Sequence, residues 1–229
     1  MEAVAFVLAR SSSKRIKHKN ICDFFNKPLL AYPIEVALNC KLFEEVFISS
    51  DSLEYVNLAI EYGARFLNLR PRNLANDTAT TLEVMAYHIK ELGLKDNAIV
   101  CCLYGTSVLL QKKHLQLAFE TLKQYQTADY VFTCSPFSAS PYRSFSIENG
   151  VQMAFKEHLN TRTQDLKKLY HDAGLLYMGR AKAFKEKRPI FSHNSIALEL
   201  VALEVQDIDT LEDLELAKLK YSRLKNLCE

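Results

Sequence analysis

The chain has 229 residues, 48% of them apolar, so it can bury a substantial core, and a disordered protein is excluded. Its 29 Lys and Arg face 27 Asp and Glu, and a formal net charge of +2 gives no global field to draw it to nucleic acid. The six cysteines (Cys22, Cys40, Cys101, Cys102, Cys134, Cys228) never fall in C-x-x-C spacing, which argues against zinc and a redox dithiol and leaves buried, reduced thiols.

The first apolar block, Val4 to Leu8, reads as a strand. No basic leader precedes it and no apolar run reaches about 18 residues, so a soluble cytoplasmic protein without a membrane span is expected. The strand runs into "ARSSSKRIKHKN", where Arg10, Lys14, Arg15, Lys17, His18 and Lys19 crowd one loop. Helical periodicity follows over Pro28 to Cys40, Leu53 to Tyr62, Thr81 to Leu92 and Lys112 to Tyr125. Between these helices lie strand-like blocks at Glu45 to Ser49, Arg65 to Leu69, Ala98 to Leu103 and Tyr130 to Cys134. Such alternation predicts crossover connections and an α/β fold with a mostly parallel sheet. The basic loop then leaves the first strand where an open α/β sheet keeps its ligand crevice.

From Ser138 to Lys168 the rhythm breaks into a polar stretch whose "ENG" (Glu148 to Gly150) predicts a turn between two short strands, a projecting hairpin arm inserted at 138–168 in a single 1–229 domain. After it, Asp172 to Gly179 and Ile196 to Val205 read as strands, and Thr210 to Leu227 as a closing amphipathic helix. Pro33 lies inside the first predicted helix, where it is tolerated only in the first turn. His88, His114 and His158 sit in helical or exposed contexts and read as surface residues.

The basic loop lacks both G-x-x-x-x-G-K-[ST] and G-x-G-x-x-G, so a P-loop enzyme and a dinucleotide fold are disfavoured. It can still bind a polyphosphate through turn N–H groups, the planar fork of Arg10 and the point charges of Lys14 and Lys19; an ordinary solvated loop is the alternative. Asp207 and Asp209, two apart in an extended segment, project from one face toward a single hard cation. Equally, Asp209 begins D-T-L-E, a helix N-cap with Glu212 completing a capping box.

"LARSSSKRIKHKN" resembles the A-R-x-G-S-K-x-[IL]-P-x-K-N motif of the CMP-sugar-acid synthetases, which activate sialic acids and relatives with CTP. "KPLLAYPIEVALN", "VFISSD", "LRPRNLANDTATT" and "VQDIDTLEDLELA" resemble further family stretches in the family's order, so the likeness spans nearly the whole chain. "RTQDLKKLYHDAGLLYMG" is similar to the R-x-Q-D-L-x-x-x-Y-H-D-A-G pattern of the CMP-pseudaminic acid synthetases. Departures occur at Ser12 (glycine in the family), Lys17, Gly105 and Val108 (prolines), Leu110, Leu175 and Met178. A serine at position 12 is expected to occupy a backbone conformation that favours φ > 0.

The resemblance implies a three-layer, Rossmann-like nucleotide-diphospho-sugar transferase fold whose hairpin arm makes a homodimer. It implies a Mg²⁺-dependent cytidylyltransferase that joins CTP to a nine-carbon keto-sugar acid, pseudaminic acid above all, for surface glycans or flagellin. Arg10, Ser11, Ser12, Ser13, Lys14 and Lys19 would receive the triphosphate, Asn20 the α-phosphate and ribose, and Arg70 with backbone groups around Ala79 the cytosine, with Thr81 alongside the nucleotide. Asp207 and Asp209 would bind metal, with Asp209 also orienting or deprotonating the attacking hydroxyl. Tyr104, Arg162, Gln164, His171 and Asp172 would meet the sugar acid, Arg162 from its own subunit or across a dimer. A hydrogen-bonded structural corner is the alternative for Tyr170, His171 and Asp172. Within the family, a CMP-sialic acid or CMP-Kdo synthetase is the rival, and outside catalysis a nucleotide-binding homologue.

Overall fold

A computed structural model describes residues 2–227. Cys228 lies outside the described residues; Cys40, Cys101, Cys102 and Cys134 are buried free thiols, and Cys22 is partly exposed. In chain order the elements are β1 (Ala3–Leu8), β2 (Asp23–Phe24), β3 (Lys27–Pro28), α1 (Ala31–Asn39), β4 (Glu45–Ser49), α2 (Leu53–Glu61) and β5 (Arg65–Phe66). There follow α3 (Thr81–Glu91), β6 (Ile99–Tyr104), α4 (Lys112–Gln124), β7 (Tyr130–Pro136), β8 (Phe145–Ser146) and β9 (Gln152–Met153). The chain closes with β10 (Tyr170–Arg180), α5 (Ala181–Lys185), β11 (Ser195–Glu199) and α6 (Leu211–Asn226).

Seven strands form one sheet in the order β11-β7-β10-β6-β1-β4-β5. β1 runs parallel to β4 and β6, and β10 alone is antiparallel to its neighbours, wedged between β6 and β7. Period-two alternation along β1 explains why the sheet is covered on both faces. Ala5 and Val7 pack with Ile34, Tyr55 and Leu115 of α1, α2 and α4, whereas Val4, Phe6 and Leu8 pack with Met85, Ile89 and Phe184 of α3 and α5. The expected three layers and mostly parallel sheet are therefore observed.

Boundaries moved where local chemistry overrode pattern. The first predicted helix starts at Ala31, because Lys27 and Pro28 pair with Asp23 and Phe24. Pro33 thus falls in the first turn, where no intrahelical N–H bond is lost. β5 ends at Phe66 rather than Leu69, and β11 ends at Glu199, after which the chain makes a 3₁₀ turn at Ala202–Glu204. α5 carried too short a pattern to be read from sequence. The "ENG" hairpin is present as β8 and β9, with Asn149 and Gly150 at positive φ.

His88 and His114 contradict their reading as surface residues: they are 1% and 2% exposed. His88 hydrogen-bonds Ser49, and His114 lies against Glu204, so polar partners made interior positions acceptable on otherwise amphipathic helices.

Candidate active site

The loop after β1 is fastened to strand ends rather than left in solvent. Ser11 donates both its backbone N–H (2.7 Å) and its hydroxyl (2.8 Å) to the carboxylate of Asp51, which follows β4. Ser12 Oγ reaches the Ala75 carbonyl at 3.4 Å, and Ser13 N–H bonds back to Ser11 O at 3.0 Å. Asn20 donates its amide to Arg10 O at 2.9 Å. Gly105 makes room for that amide: a Cβ there would stand 2.6 Å from Asn20 Oδ1. The expectation of left-handed backbone at Ser12 is not met; His18 adopts it instead, at φ 55°. Histidine visits that region more readily than most side chains, so Ser12 needs no glycine-like freedom.

Lys19 closes the loop against a segment 190 residues away. Its Nζ donates to Ile208 O at 2.6 Å and to Asp209 Oδ1 at 3.1 Å, while Arg15 pairs with Asp209 Oδ2 at 2.8 Å. The cause is apolar. Ile16 and Ile208 are both buried in a cluster with Phe24, Leu29, Tyr32, Leu109, Leu214 and Ala217, which docks the basic loop on α6. Burying such side chains contributes roughly 1.5–3 kcal/mol each. With Ile208 turned inward, its neighbours Asp207 and Asp209 stay free to face a cleft.

Asp209 is not the helix cap. Thr210 caps α6, accepting from Asp213 N–H at 3.2 Å, and the Asp213 carboxylate returns to Thr210 N–H at 2.8 Å. The capping box lies one residue later than the sequence reading set it, so the Asp209 carboxylate is engaged by Lys19 and Arg15 rather than by the helix. Asp207 is exposed at the cleft, where partial desolvation of its carboxylate together with the neighbouring Asp209 charge raises its pKa above the ordinary carboxylate value. No cation pairs with Asp207 among the described residues, nor does any group of three or more His, Cys, Asp or Glu there have metal-binding geometry.

Two clefts flank this junction. One, of about 250 Å³, is lined by Arg10, Lys19, Asn20, Arg70, Ala79, Thr81 and Tyr104. These residues come from the carboxyl ends of β1 and β6, the 70–79 loop and the start of α3, the crevice position of an open α/β sheet. Thr81 Oγ1 and Tyr104 Oη are 2.7 Å apart. The other cleft, about 380 Å³, is lined by Ser135, His171, Gln206, Asp207, Asp209 and Lys220 among others. Lys19 lines the first and bonds Asp209, which lines the second, so the clefts meet at that ion pair.

Sequence reasoning missed several participants. Asp77 Oδ1 binds Arg10 at 2.7 Å and its Oδ2 binds Lys14 at 2.6 Å, so one carboxylate engages two of the predicted phosphate cations. Both partners hold the Asp77 pKa below the usual carboxylate range. Lys220, lowered in pKa by burial, donates to Val205 O and Gln206 Oε1 and has no carboxylate partner among the described residues. Acids opposite basic loops and a lysine on a helix carry no local signal; only the fold brings them in.

Other predicted residues are elsewhere. Arg162 pairs with Asp165 at 2.8 Å in an exposed turn of the 138–168 segment, and Gln164 is exposed beside it; neither lines either of these two clefts. Physically, the arm's turn satisfies Arg162 locally. Asp172 accepts from Gly174 N–H (3.1 Å) and the Tyr177 hydroxyl, and the Tyr177 ring meets Tyr104 edge-on at 5.9 Å. Asp172 thus makes the hydrogen bonds of a corner, while His171 lines the larger cleft.

A family model described as "Cytidylyltransferase" matches residues 4–226. The chain belongs to the cytidylyltransferase family. It is a nucleotidyltransferase, and its match to the model leaves almost no described residue outside the family's pattern. It is 80% identical over 208 residues to "Pseudaminic acid cytidylyltransferase and UDP-2,4-diacetamido-2,4,6-trideoxy-beta-L-altropyranose hydrolase" of Helicobacter pylori, covering 91% of this chain and 40% of that protein. The chain thus spans about two fifths of that relative's length. A "Pseudaminic acid cytidylyltransferase" of Campylobacter jejuni is 41% identical over 225 residues, covering 96% of this chain and 97% of the relative. Among solved structures, a CMP:2-keto-3-deoxy-manno-octonic acid synthetase complexed with CTP aligns with TM-score 0.73 at 15% identity, covering 97% of this chain and 99% of that one. At that identity the likeness concerns the fold. No helix of the described residues is long and apolar enough to cross a membrane.

Proposed function

We propose that this cytidylyltransferase joins CTP to pseudaminic acid, forming the CMP-sugar and pyrophosphate. The observation that carries the reading is the Lys19–Asp209 contact, which links a basic loop to a carboxylate pair where two clefts meet. The relatives at 80% and 41% identity support the sugar, since both are named for pseudaminic acid.

In this reading the smaller cleft takes CTP. The Ser11–Ser13 turn, Arg10, Lys14 and Lys19 receive the triphosphate, and Asp77 yields Arg10 and Lys14 as the phosphates arrive. Asn20 holds the α-phosphate and ribose side, and Arg70, Ala79 and Thr81 the base. Tyr104 lines this cleft and packs on Tyr177, whose hydroxyl donates to Asp172 next to His171. The larger cleft takes the sugar acid beside His171. Lys220 is the cation there without a carboxylate partner, suited to the substrate carboxylate. Arg162 and Gln164 contribute from a second copy whose 138–168 arm reaches across, in a homodimer working in the cytoplasm.

Asp207 and Asp209 fit Mg²⁺: both offer hard oxygen ligands, and two carboxylates plus substrate phosphate oxygens suit that ion. When bound, Mg²⁺ would neutralise charge on the phosphate oxygens. The chain's residues do the rest. The anomeric oxygen forms a bond to the α-phosphorus as the bond to the departing pyrophosphate breaks, and Asp209 takes the hydroxyl proton. Lys19 and Arg10 stabilise negative charge on the transferring group and the leaving pyrophosphate.

Pyrophosphate release measured with CTP and pseudaminic acid, N-acetylneuraminic acid or 2-keto-3-deoxy-manno-octonic acid tests this. Turnover with pseudaminic acid at least tenfold above the others is expected. Preference for another acid overturns the substrate, and CTP binding without turnover on any acid marks a non-catalytic homologue.

A further inference from the structure

Arg70 is 7% exposed, yet no carboxylate lies within ion-pair distance of it among the described residues. Its guanidinium is held by one residue. Nε and NH2 donate to Ser49 Oγ at 3.1 and 2.9 Å, and NH2 also donates to Ser49 O at 2.8 Å. The other terminal nitrogen makes no hydrogen bond among the described residues, and Arg70 lines the smaller cleft.

The Ser49 hydroxyl has one hydrogen, and with Arg70 donating to its oxygen that hydrogen must go elsewhere. His88 Nε2 stands 2.6 Å from Ser49 Oγ. The ring is fixed by stacking on Phe6, with centroids 5.3 Å apart and planes at 21°. Burial, helped by the nearby Arg70 charge, lowers the His88 pKa to about 4, so the ring is neutral and Nε2 can accept. The proton then sits on Nδ1, which is buried and without a partner. An unsatisfied donor in the core is costly, and leucine would avoid it. The ring earns its place through Nε2.

We propose that Ser49 and His88 are positioning residues that aim the Arg70 guanidinium at the base of the bound nucleotide and thereby set the preference for cytosine over uracil. The remaining terminal nitrogen can donate an N–H to the adjacent O2 and N3 acceptors of cytosine, whereas uracil carries a hydrogen on N3. A guanidinium free to swing would accommodate either base. This inference rests on CTP occupying the smaller cleft.

The test measures KM for CTP, UTP and the sugar acid, calorimetric CTP binding and the melting temperature in wild type, His88→Leu and His88→Gln. His88→Leu removes the acceptor but fills the site. It should raise KM for CTP about tenfold, the order expected for one well-aligned hydrogen bond, and lower CTP over UTP discrimination by a similar factor. The sugar-acid KM should stay put and the melting temperature should hold or rise. His88→Gln, whose amide oxygen can accept from Ser49, should restore most of the discrimination. Ser49→Ala provides the same readout should the leucine variant fail to fold. Unchanged CTP over UTP discrimination in a folded His88→Leu or Ser49→Ala protein that binds CTP overturns this inference alone, as does a parallel rise in both substrates' KM. Wild-type protein that binds no CTP removes the underlying assignment together with it.

Discussion

The loop after β1 and the segment between β7 and β10 are both polar excursions from the same sheet, but they are anchored differently. Residues 10–20 are tied to distant parts of the fold: Ser11 to Asp51, Arg10 and Lys14 to Asp77, Lys19 to Asp209. Ile16, alone among polar neighbours, is buried with Ile208 and Leu214. The 138–168 segment is tied mostly to itself. Arg143 donates to the carbonyls of His158, Leu159 and Thr161, Tyr142 packs on Phe155 and His158, and Arg162 pairs with Asp165. Phe145, Ile147, Val151 and Leu159 remain exposed. One inward-facing isoleucine turns a polar loop into part of a rigid site; without such an anchor, the arm keeps its shape and leaves its apolar side chains uncovered.

The sharpest break of the comparison removes the far end of the loop's tether. Asp209→Ala is expected to lower turnover by about a thousandfold, the scale of losing a group that acts on the reacting centre, while leaving the fold intact. Pyrophosphate release paired with circular dichroism checks both halves; an active variant removes Asp209 from the mechanism. Next comes the anchor. Ile208→Ala, at a fully buried position, should destabilise the protein by about 2–5 kcal/mol in urea denaturation and loosen Lys19 from Asp209. A loss under about 1 kcal/mol would mean that the loop and α6 are held by their ion pairs instead.

These anchors explain what could be read from the sequence. Strand and helix order follow from period-two and period-3.6 patterns that depend on near neighbours, and "ARSSSKRIKHKN" is contiguous, so its charge was visible. Asp207 and Asp209 were visible as a pair but ambiguous, because D-T-L-E also reads as a cap; only the backbone assigns that role to Thr210. Asp77, Ser49 and His88 act through partners 21 to 67 positions away, and Lys220 through a cleft formed by several elements, and local pattern is silent on such pairings. His88 also followed helical spacing onto a buried face, where a polar side chain looked out of place until Ser49 was seen beneath it.

On the arm's side the expected effect is local. Arg143→Ala frees three carbonyls in a solvent-accessible turn, where water replaces the lost bonds, so global stability should change by no more than about 1 kcal/mol. Limited proteolysis should nonetheless cut faster between residues 138 and 168, with calorimetric CTP binding unchanged. Should CTP affinity fall with arm order, the two regions are coupled and the contrast drawn between them is wrong.

The smallest effect concerns the carboxylate that links the loop to the 70–79 segment. Asp77 is exposed, so its two ion pairs are screened by solvent and each is weak. It nonetheless binds the cations assigned to phosphate, and a ligand must displace it before Arg10 and Lys14 are free. Asp77→Asn removes that competition while keeping a side chain of the same shape. Pyrophosphate and CTP should therefore bind about two- to fivefold tighter, with the gain shrinking as salt is raised from 50 to 500 mM because screening weakens the native pairs first. Weaker binding would show the opposite: that Asp77 holds Arg10 and Lys14 in the geometry the phosphates need, and that the order of the loop matters more than the freedom of its charges.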